Sequence, residues 1–393
     1  MLRRVGALDG LVVVDAGINV QGPQAAALLR DWGAEVVKVE LPEFGDQSRS
    51  LPLAAEDPRS AYYVGCNRGK RSITIDLRVD AGRDVFLRLV DRADVLITNF
   101  KPGTMEGWGL GYDVLSARNP GLVYGTGSTF GPAGPDAAEE GSDLSAQAAG
   151  GLISTNGVDG GEPTPVGAMI ADHIASLNLA AGILAALLSR AGTGRGQHVA
   201  SSLLGGQIWA QASEYTAYLL SGRVPGRANR GSPLVPGIYG LYPTADGWIA
   251  IAGARGVQRE ALFEAVGRPD LFARFGEGMY WGPVKRVLYE ELAPRFATRS
   301  TAEWCEVLRG AGIRHAPVRD YREVAAMPGV WANGYLARSD TGDAVVGTPV
   351  HFSDTPGSPA WVAPEIGQHT EEVLLELGFT WDDIGRLRAE GAV

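Results

Sequence analysis

One carboxylate, Asp172, stands inside the apolar run PVGAMIADHIASLNLAAGILAALL, residues 165–188, with His173 beside it. A poorly hydrated, ionised carboxylate can act as a nucleophile. Helical periodicity starts just after Asp172, so the same residue can also cap a helix N-terminus, where amides and the dipole favour its charged form. Position alone leaves both roles open. His173 would fall on a different helical face and reads as a neighbour rather than a base. A second group is basic: NRGKRS (67–72) carries Arg68, Lys70 and Arg71, and Arg78 follows. Such groups suit phosphates, although a solvated loop is the plain alternative. A third is NFKPG (99–103), which brings an amide, an aromatic ring and a lysine to the end of a strand. Open α/β sheets bind ligands at that edge, though an ordinary loop would read the same way. GTGRGQ (192–197) looks like a nucleotide loop, but a long apolar helix precedes it, so it reads as a helix-to-helix turn. The first βα turn, DAGINVQGPQA, lacks GxGxxG, and nicotinamide chemistry loses its support there. The five histidines are scattered without HExxH spacing, so no dedicated metal site is expected.

Those groups need elements to hold them. GLVVVDAG, then GPQAAALLRDWGA, then EVVKVE read as strand, helix and strand, the unit of a parallel α/β sheet. RSITIDLR, AGRDVFLRLVDRA, DVLITNF and NPGLVYGTGS continue the alternation to about residue 130. Residues 141–220 read as mainly helical, with Ile174, Leu177, Ala181, Leu184 and Leu188 sharing one face. GIYGLYPTADGWIAIAG reads as a hairpin turned at Ala245-Asp246-Gly247, and the tail EIGQHTEEVLLELGFTWDDIGRLRAEGAV as two surface helices. A chain of 393 residues suits two domains. A net charge of −10 disfavours nucleic acid or an acidic membrane as the main partner. Two distant cysteines, Cys66 and Cys305, point to a reducing compartment, hence the cytoplasm, and to no disulfide framework. MLRRVGALDGLVVVDAG reads as a strand rather than a signal peptide, and no transmembrane helix is expected.

Taken in order, LDGLVVVDAG…GPQAAALLRDWGAEVVKVELPEFGDQSR, NRGKRSITIDL, ADVLITNFKPGTMEGWGLGYDVL, NPGLVYGTGSTFGPAGP, SDLSAQAAGGL, TGRGQHV, GIRHAPV and IGQHTEEVLLELG resemble the family III CoA-transferases, the CaiB/BaiF group, across nearly the whole chain. The resemblance implies a Rossmann-like large α/β domain with a parallel sheet, a smaller α+β domain, and an interlocked homodimer. The large domain would comprise residues 1–205 plus 335–393 and the small domain 226–330, with linkers at 206–225 and 331–334. It also implies coenzyme A and acyl-CoA as substrates, a carboxylic acid as the other partner, and no metal or nicotinamide. Asp172 falls at the family's nucleophile. That scheme runs through an aspartyl anhydride and an aspartyl-CoA thioester, in an apolar setting that keeps water off the anhydride. Val20 and Gln21 match the loop near the active site. Arg78 matches a contact to the CoA phosphate, and Asn99, Phe100 and Lys101 match the loop lining its nucleotide.

The sequence departs from the family in places. Leu41 and Gly107 stand where basic residues are often found, and the glycine-run lid of formyl-CoA transferases is missing. An α-methylacyl-CoA racemase shares this resemblance but needs a base on each side of the α-carbon. Here its HD pair is Ser142-Asp143, and Gly256 fills its later acidic position. Transfer is therefore the expected reaction, with a CoA-thioester isomerase and a CoA-binding protein without turnover as the alternatives.

Overall fold

The computed structural model describes residues 6–254, 257–339, 341–358 and 362–393. The chain forms two compact units. The first comprises residues 6–150, 168–210 and 328–393, the second 151–167 and 211–327.

The first unit is built on six parallel strands in the order β3-β2-β1-β4-β5-β6. These are β1 (Val12–Asp15), β2 (Glu35–Glu40), β3 (Arg71–Thr74), β4 (Val95–Thr98), β5 (Val123–Ser128) and β6 (His198–Ser202). Helices cover both faces, which is why the central strands are apolar runs rather than alternations. Successive side chains still point to opposite faces. Val13, Val36, Val95 and Ile97 pack with helix α1 (Gln21–Asp31) and with Leu179 and Ile183 of the long helix Ile170–Thr193. Val14, Val37 and Leu96 pack with Phe86 and Leu89 of the helix Asp80–Arg92. Val373, Leu374, Ile384 and Leu387 of the tail helices Thr370–Glu376 and Trp381–Ala389 join that second face. The tail helices are therefore amphipathic covers of the sheet.

Two sequence expectations change here. GTGRGQ leads into a strand, β6, rather than a second helix. HVASS is short, polar and at the sheet edge, so no apolar run announces it. The face of the 170–193 helix holding Leu177, Ala181 and Leu188 is exposed, and the buried stripe is Ala171, Ala175, Leu179, Ala180, Ile183 and Ala186. Small residues make that stripe, letting the helix approach the sheet closely: a Cβ on Gly125 would sit 2.9 Å from Ile183 Cδ1. By length and composition alone this helix could cross a membrane; in the fold its buried stripe packs under the sheet.

In the second unit, β7 (Tyr239–Pro243), β8 (Trp248–Ala252) and β9 (His315–Pro317) form an antiparallel sheet. The β7–β8 hairpin turns at 244–247, as its sequence indicates. Its core joins Tyr242, Ile249 and Ile251 to Phe263, Leu292, Phe296 and Trp304.

Candidate active site

The strand order reverses between β1 and β4, so the turns that follow these two strands diverge and leave a crevice. The candidate site is built from the turn after β1, the loop after β4 and the start of the 170–193 helix.

Asp172 does not cap its own helix. The helix begins at Ile170 after Met169, which places Asp172 in the first turn. The cap comes from elsewhere. Asp143, 4 % exposed, accepts the Ala171 N–H at 2.7 Å and the Asp172 N–H at 3.2 Å through Oδ1, and holds Gln147 Nε2 at 2.6 Å through Oδ2. Asp172 in turn serves a different helix. Helix α1 starts after Val20, which offers no side-chain cap, and the backbone N–H of its first residue, Gln21, lies near enough to the Asp172 carboxylate to favour its charged form. Ser176 Oγ closes the junction, 2.8 Å from the Gln21 carbonyl and 2.7 Å from that of Asp172.

Burial pushes the Asp172 carboxyl up to about 7, the Asp143 carboxylate adds to this, and the Gln21 amide opposes it. The group is thus poorly solvated yet ionisable near neutral pH, the state a carboxylate nucleophile needs. His173 points elsewhere. It lines a cavity of about 350 Å³ with Leu28, Ser176, Leu177 and Tyr335, and burial lowers its pKa.

The turn carrying Gln21 is held by side chains. Gly17 N–H donates to Asp15 Oδ1 at 2.9 Å, and its carbonyl accepts from Lys38 Nζ. Asn99 takes both sides of Ile18: Oδ1 accepts its N–H at 2.7 Å, and Nδ2 donates to its carbonyl at 2.9 Å. Asn19, at φ +60°, donates its N–H to Asp46 Oδ1 at 2.9 Å. Below lies a fully buried ion network: Lys38 pairs with Asp46 at 2.8 Å, and Lys70 with Asp15 at 2.7 Å. Burial works against the charge of Lys38, but Asp15 and Asp46 overcome it and hold its pKa above the usual value. Removing one partner of a buried pair typically costs about 3–5 kcal/mol, so this network is a stiff foundation.

At the carboxyl edge of β1–β4 lies a cavity of about 400 Å³, lined by residues including Gly17, Ile18, Leu41, Ile75, Arg78 and Phe100. Phe100 stands edge-on to Trp108, 5.5 Å between centroids. Arg78 is anchored by Asp76, with Nη2 2.7 Å from Oδ2, and its side chain is 62 % exposed. Lys101 is half-exposed, 3.7 Å from Glu140. Arg68 and Lys70 of the basic loop face inward, to Asp31 and Asp15. Of the residues expected from sequence, the structure brings Asp172 and Gln21 together through Ser176, with Val20 just before Gln21, and Arg78 and Phe100 around the cavity. Asn99 is committed to the turn between them.

Sequence reasoning missed what Asp143, Lys38, Asp46 and Ser176 do. Asp143 was visible only as part of the Ser142-Asp143 pair. Ser142 opens the helix Asp143–Ala149, and its N–H donates to Ser145 Oγ at 3.2 Å. Gly256, which fills the racemase's later acidic position, lies outside the described residues. Among the described residues no cluster of three His, Cys, Asp or Glu could hold a metal ion.

The fold and site together are those of an α/β ligand-binding protein, with a crevice at the switch point of its sheet and a half-buried carboxylate beside the start of a helix. The sequence profile of CoA-transferase family III matches residues 8–370, and the chain belongs to that family. It is 35 % identical to the succinyl-CoA:mesaconate CoA-transferase of Haloarcula hispanica, over 95 % of this chain and 97 % of that one. It is 33 % identical to the succinate–glutarate CoA-transferase of Agrobacterium fabrum, over 96 % and 97 %. A crystal structure of a CaiB/BaiF family protein from Brucella suis superposes with a TM-score of 0.84 at 33 % identity, covering 95 % of this chain and all of that one.

Proposed function

We propose that this CoA-transferase works through Asp172. The Asp172 carboxylate attacks the thioester carbonyl of a donor acyl-CoA; the C–S bond breaks, CoA leaves as its thiolate, and an acyl–aspartyl anhydride remains. The thiolate then attacks the aspartyl carbonyl, the donor acid departs as its carboxylate, and an aspartyl-CoA thioester stands on the enzyme. An acceptor carboxylate repeats the two steps in reverse and restores Asp172. One thioester is exchanged for another, so no other energy source is needed. The observation that carries this reading is the poorly solvated Asp172 carboxylate held beside the start of α1, where Ser176 Oγ joins the Gln21 and Asp172 carbonyls and the Gln21 N–H lies near the carboxylate. A fixed amide at a helix N-terminus stabilises oxyanions that develop there. Gln21 Nε2, buried and without a partner among the described residues, offers a further donor for an acyl oxygen.

The CoA nucleotide is assigned to the cavity at the carboxyl edge of the sheet. Phe100 supplies an aromatic wall there and Arg78 supplies the phosphate charge; Lys101, next in sequence to Phe100, is proposed as a second phosphate contact. Short dicarboxylic acids, of the kind named for the two relatives, are the first acceptors to try. The test is a donor–acceptor panel read by mass spectrometry. The reading expects exchange of CoA between an acyl-CoA and a free acid, and no deuterium uptake at the α-carbon of 2-methylacyl-CoAs. Deuterium uptake without acid exchange would move the assignment to an isomerase; CoA binding without turnover of any donor would leave a binding protein.

The interlocked homodimer is proposed as the working form. The 170–193 helix exposes Leu177 and Leu188, Trp209 is 73 % exposed, and Leu219 and Leu220 are 77 % and 84 % exposed. Leu177, Leu188 and Trp209 belong to the first unit and Leu219 and Leu220 to the second; exposed apolar side chains on each favour a covering surface, and a second copy of the chain is the cover proposed.

A further inference from the structure

We propose that Asn99 is a positioning residue for the transfer reaction: with Lys38 and Asp46, it fixes the Gly17–Asn19 turn and so holds Gln21, whose carbonyl shares the Ser176 hydroxyl with that of Asp172, in place beside the Asp172 carboxylate. The proposal rests on the reading of Asp172 as the nucleophile.

Topology puts Asn99 where it can do this. It follows β4, which pairs directly with β1, and the turn it grips follows β1. Both of its polar atoms are used on a single residue, Ile18, one as acceptor and one as donor. That pairing fixes the rotation of the peptide planes on each side of Ile18. The next residue, Asn19, sits in left-handed backbone, a conformation that costs energy for a non-glycine residue and persists only where its surroundings over-determine it. Here they do: Asp46 takes the Asn19 N–H, Lys38 takes the Gly17 carbonyl, and Asn99 takes Ile18 between them. Gly17 belongs to the same design, since a Cβ there would stand 2.9 Å from Asn99 Oδ1. Two residues after Asn19, the chain presents the Gln21 N–H. Charge on the acyl and aspartyl oxygens grows and disappears in every step, and a donor that need not reorganise is worth most there. A turn free to relax would carry that amide away from the carboxylate.

The family resemblance gives Asn99 a different task, lining the CoA nucleotide. The two roles separate in kinetics. A nucleotide contact is made equally in ground and transition states, so its loss raises KM for the acyl-CoA donor. A positioning role is felt in kcat.

The experiment compares the full-length enzyme with Asn99→Ala and Asn99→Asp. It reads kcat, KM for the acyl-CoA donor and, at saturating donor, the single-turnover rate of enzyme–CoA adduct formation by intact mass. Asn99→Ala is expected to lower kcat and the single-turnover rate about 100-fold while donor KM stays within about threefold. Asn99→Asp keeps the acceptor for the Ile18 N–H and is expected to recover roughly tenfold of that loss. A raised donor KM with unchanged kcat, or wild-type kinetics in both variants, overturns the proposal. If Asn99→Ala does not fold, Asn99→Asp decides on the same readouts. Asp172→Ala runs alongside. If it retains exchange, the nucleophile reading fails and takes the proposal with it. If it is inert while both Asn99 variants keep wild-type kcat, that reading stands and the positioning role alone is lost.

Discussion

At Asp172 two influences oppose one another. Burial and the Asp143 carboxylate favour the proton, and the Gln21 amide favours the charge. The folded-state pKa, about 7, lies above the ordinary 3.8, so the folded protein holds a proton there that the unfolded chain has released. Stability from this group is therefore present below pH 4 and lost as pH rises through 7. Asp172→Asn is expected to stabilise the protein at pH 8 by on the order of 1–3 kcal/mol and to do little at pH 4, measured by denaturant midpoints. Attack needs the ionised form, so the single-turnover rate should rise with pH through about 7. Asp143→Asn removes one cause of the shift while keeping an oxygen for the Ala171 N–H. Its rate profile should move to lower pH, and an unmoved profile would discard the electrostatic role given to Asp143. None of this was legible around residue 172. The sequence displays the acid and its apolar surroundings, but Asp143 lies 29 positions away and the Gln21 group near the carboxylate is a backbone amide, which side-chain identity does not reveal.

Among the elements, the strands were legible and the helix faces were not. Parallel strands covered on both sides are mainly apolar, and the apolar residues of VVVD, EVVKVE and VLIT advertise them, while Asp15 and Lys38 within them belong to the buried ion network. β6 does not, because an edge strand of HVASS has no apolar run to show. The 170–193 helix is apolar nearly all round, so periodicity could not choose its inner face; close packing chose the small-residue stripe. This sets two testable costs. Ile183→Ala empties a fully buried site and should cost about 2–5 kcal/mol, whereas Leu188→Ala, 77 % exposed, should cost well under about 1 kcal/mol in the isolated chain. Close approach also matters at β5. A Cβ on Gly127 would meet Gln21 Oε1 at 2.3 Å, so Gly127→Ala should displace Gln21 and lower kcat, while the melting transition shows the variant still folded at the assay temperature.

For the whole molecule, the family order of motifs announced the class, since the ordered set spans nearly the chain. Motif order cannot report which side chains meet in space, and Asn99 illustrates this: NFKPG suggested a ligand loop, while both polar atoms of its asparagine hold the turn after β1. The exposed apolar residues lead to a prediction at this scale. The wild-type protein should run as a dimer in size-exclusion chromatography with light scattering, and Leu188→Glu combined with Leu220→Glu should shift it toward monomer. A monomeric wild type with full activity would remove the interlocked form from the account. The central claim is the covalent one, and trapping tests it most directly. The enzyme is mixed with an acyl-CoA donor and no acceptor, denatured, digested and analysed by mass spectrometry. A hydroxylamine-sensitive CoA adduct is predicted on the peptide carrying Asp172, and none on Asp172→Ala. An adduct on another residue, or full exchange activity in Asp172→Ala, would contradict it.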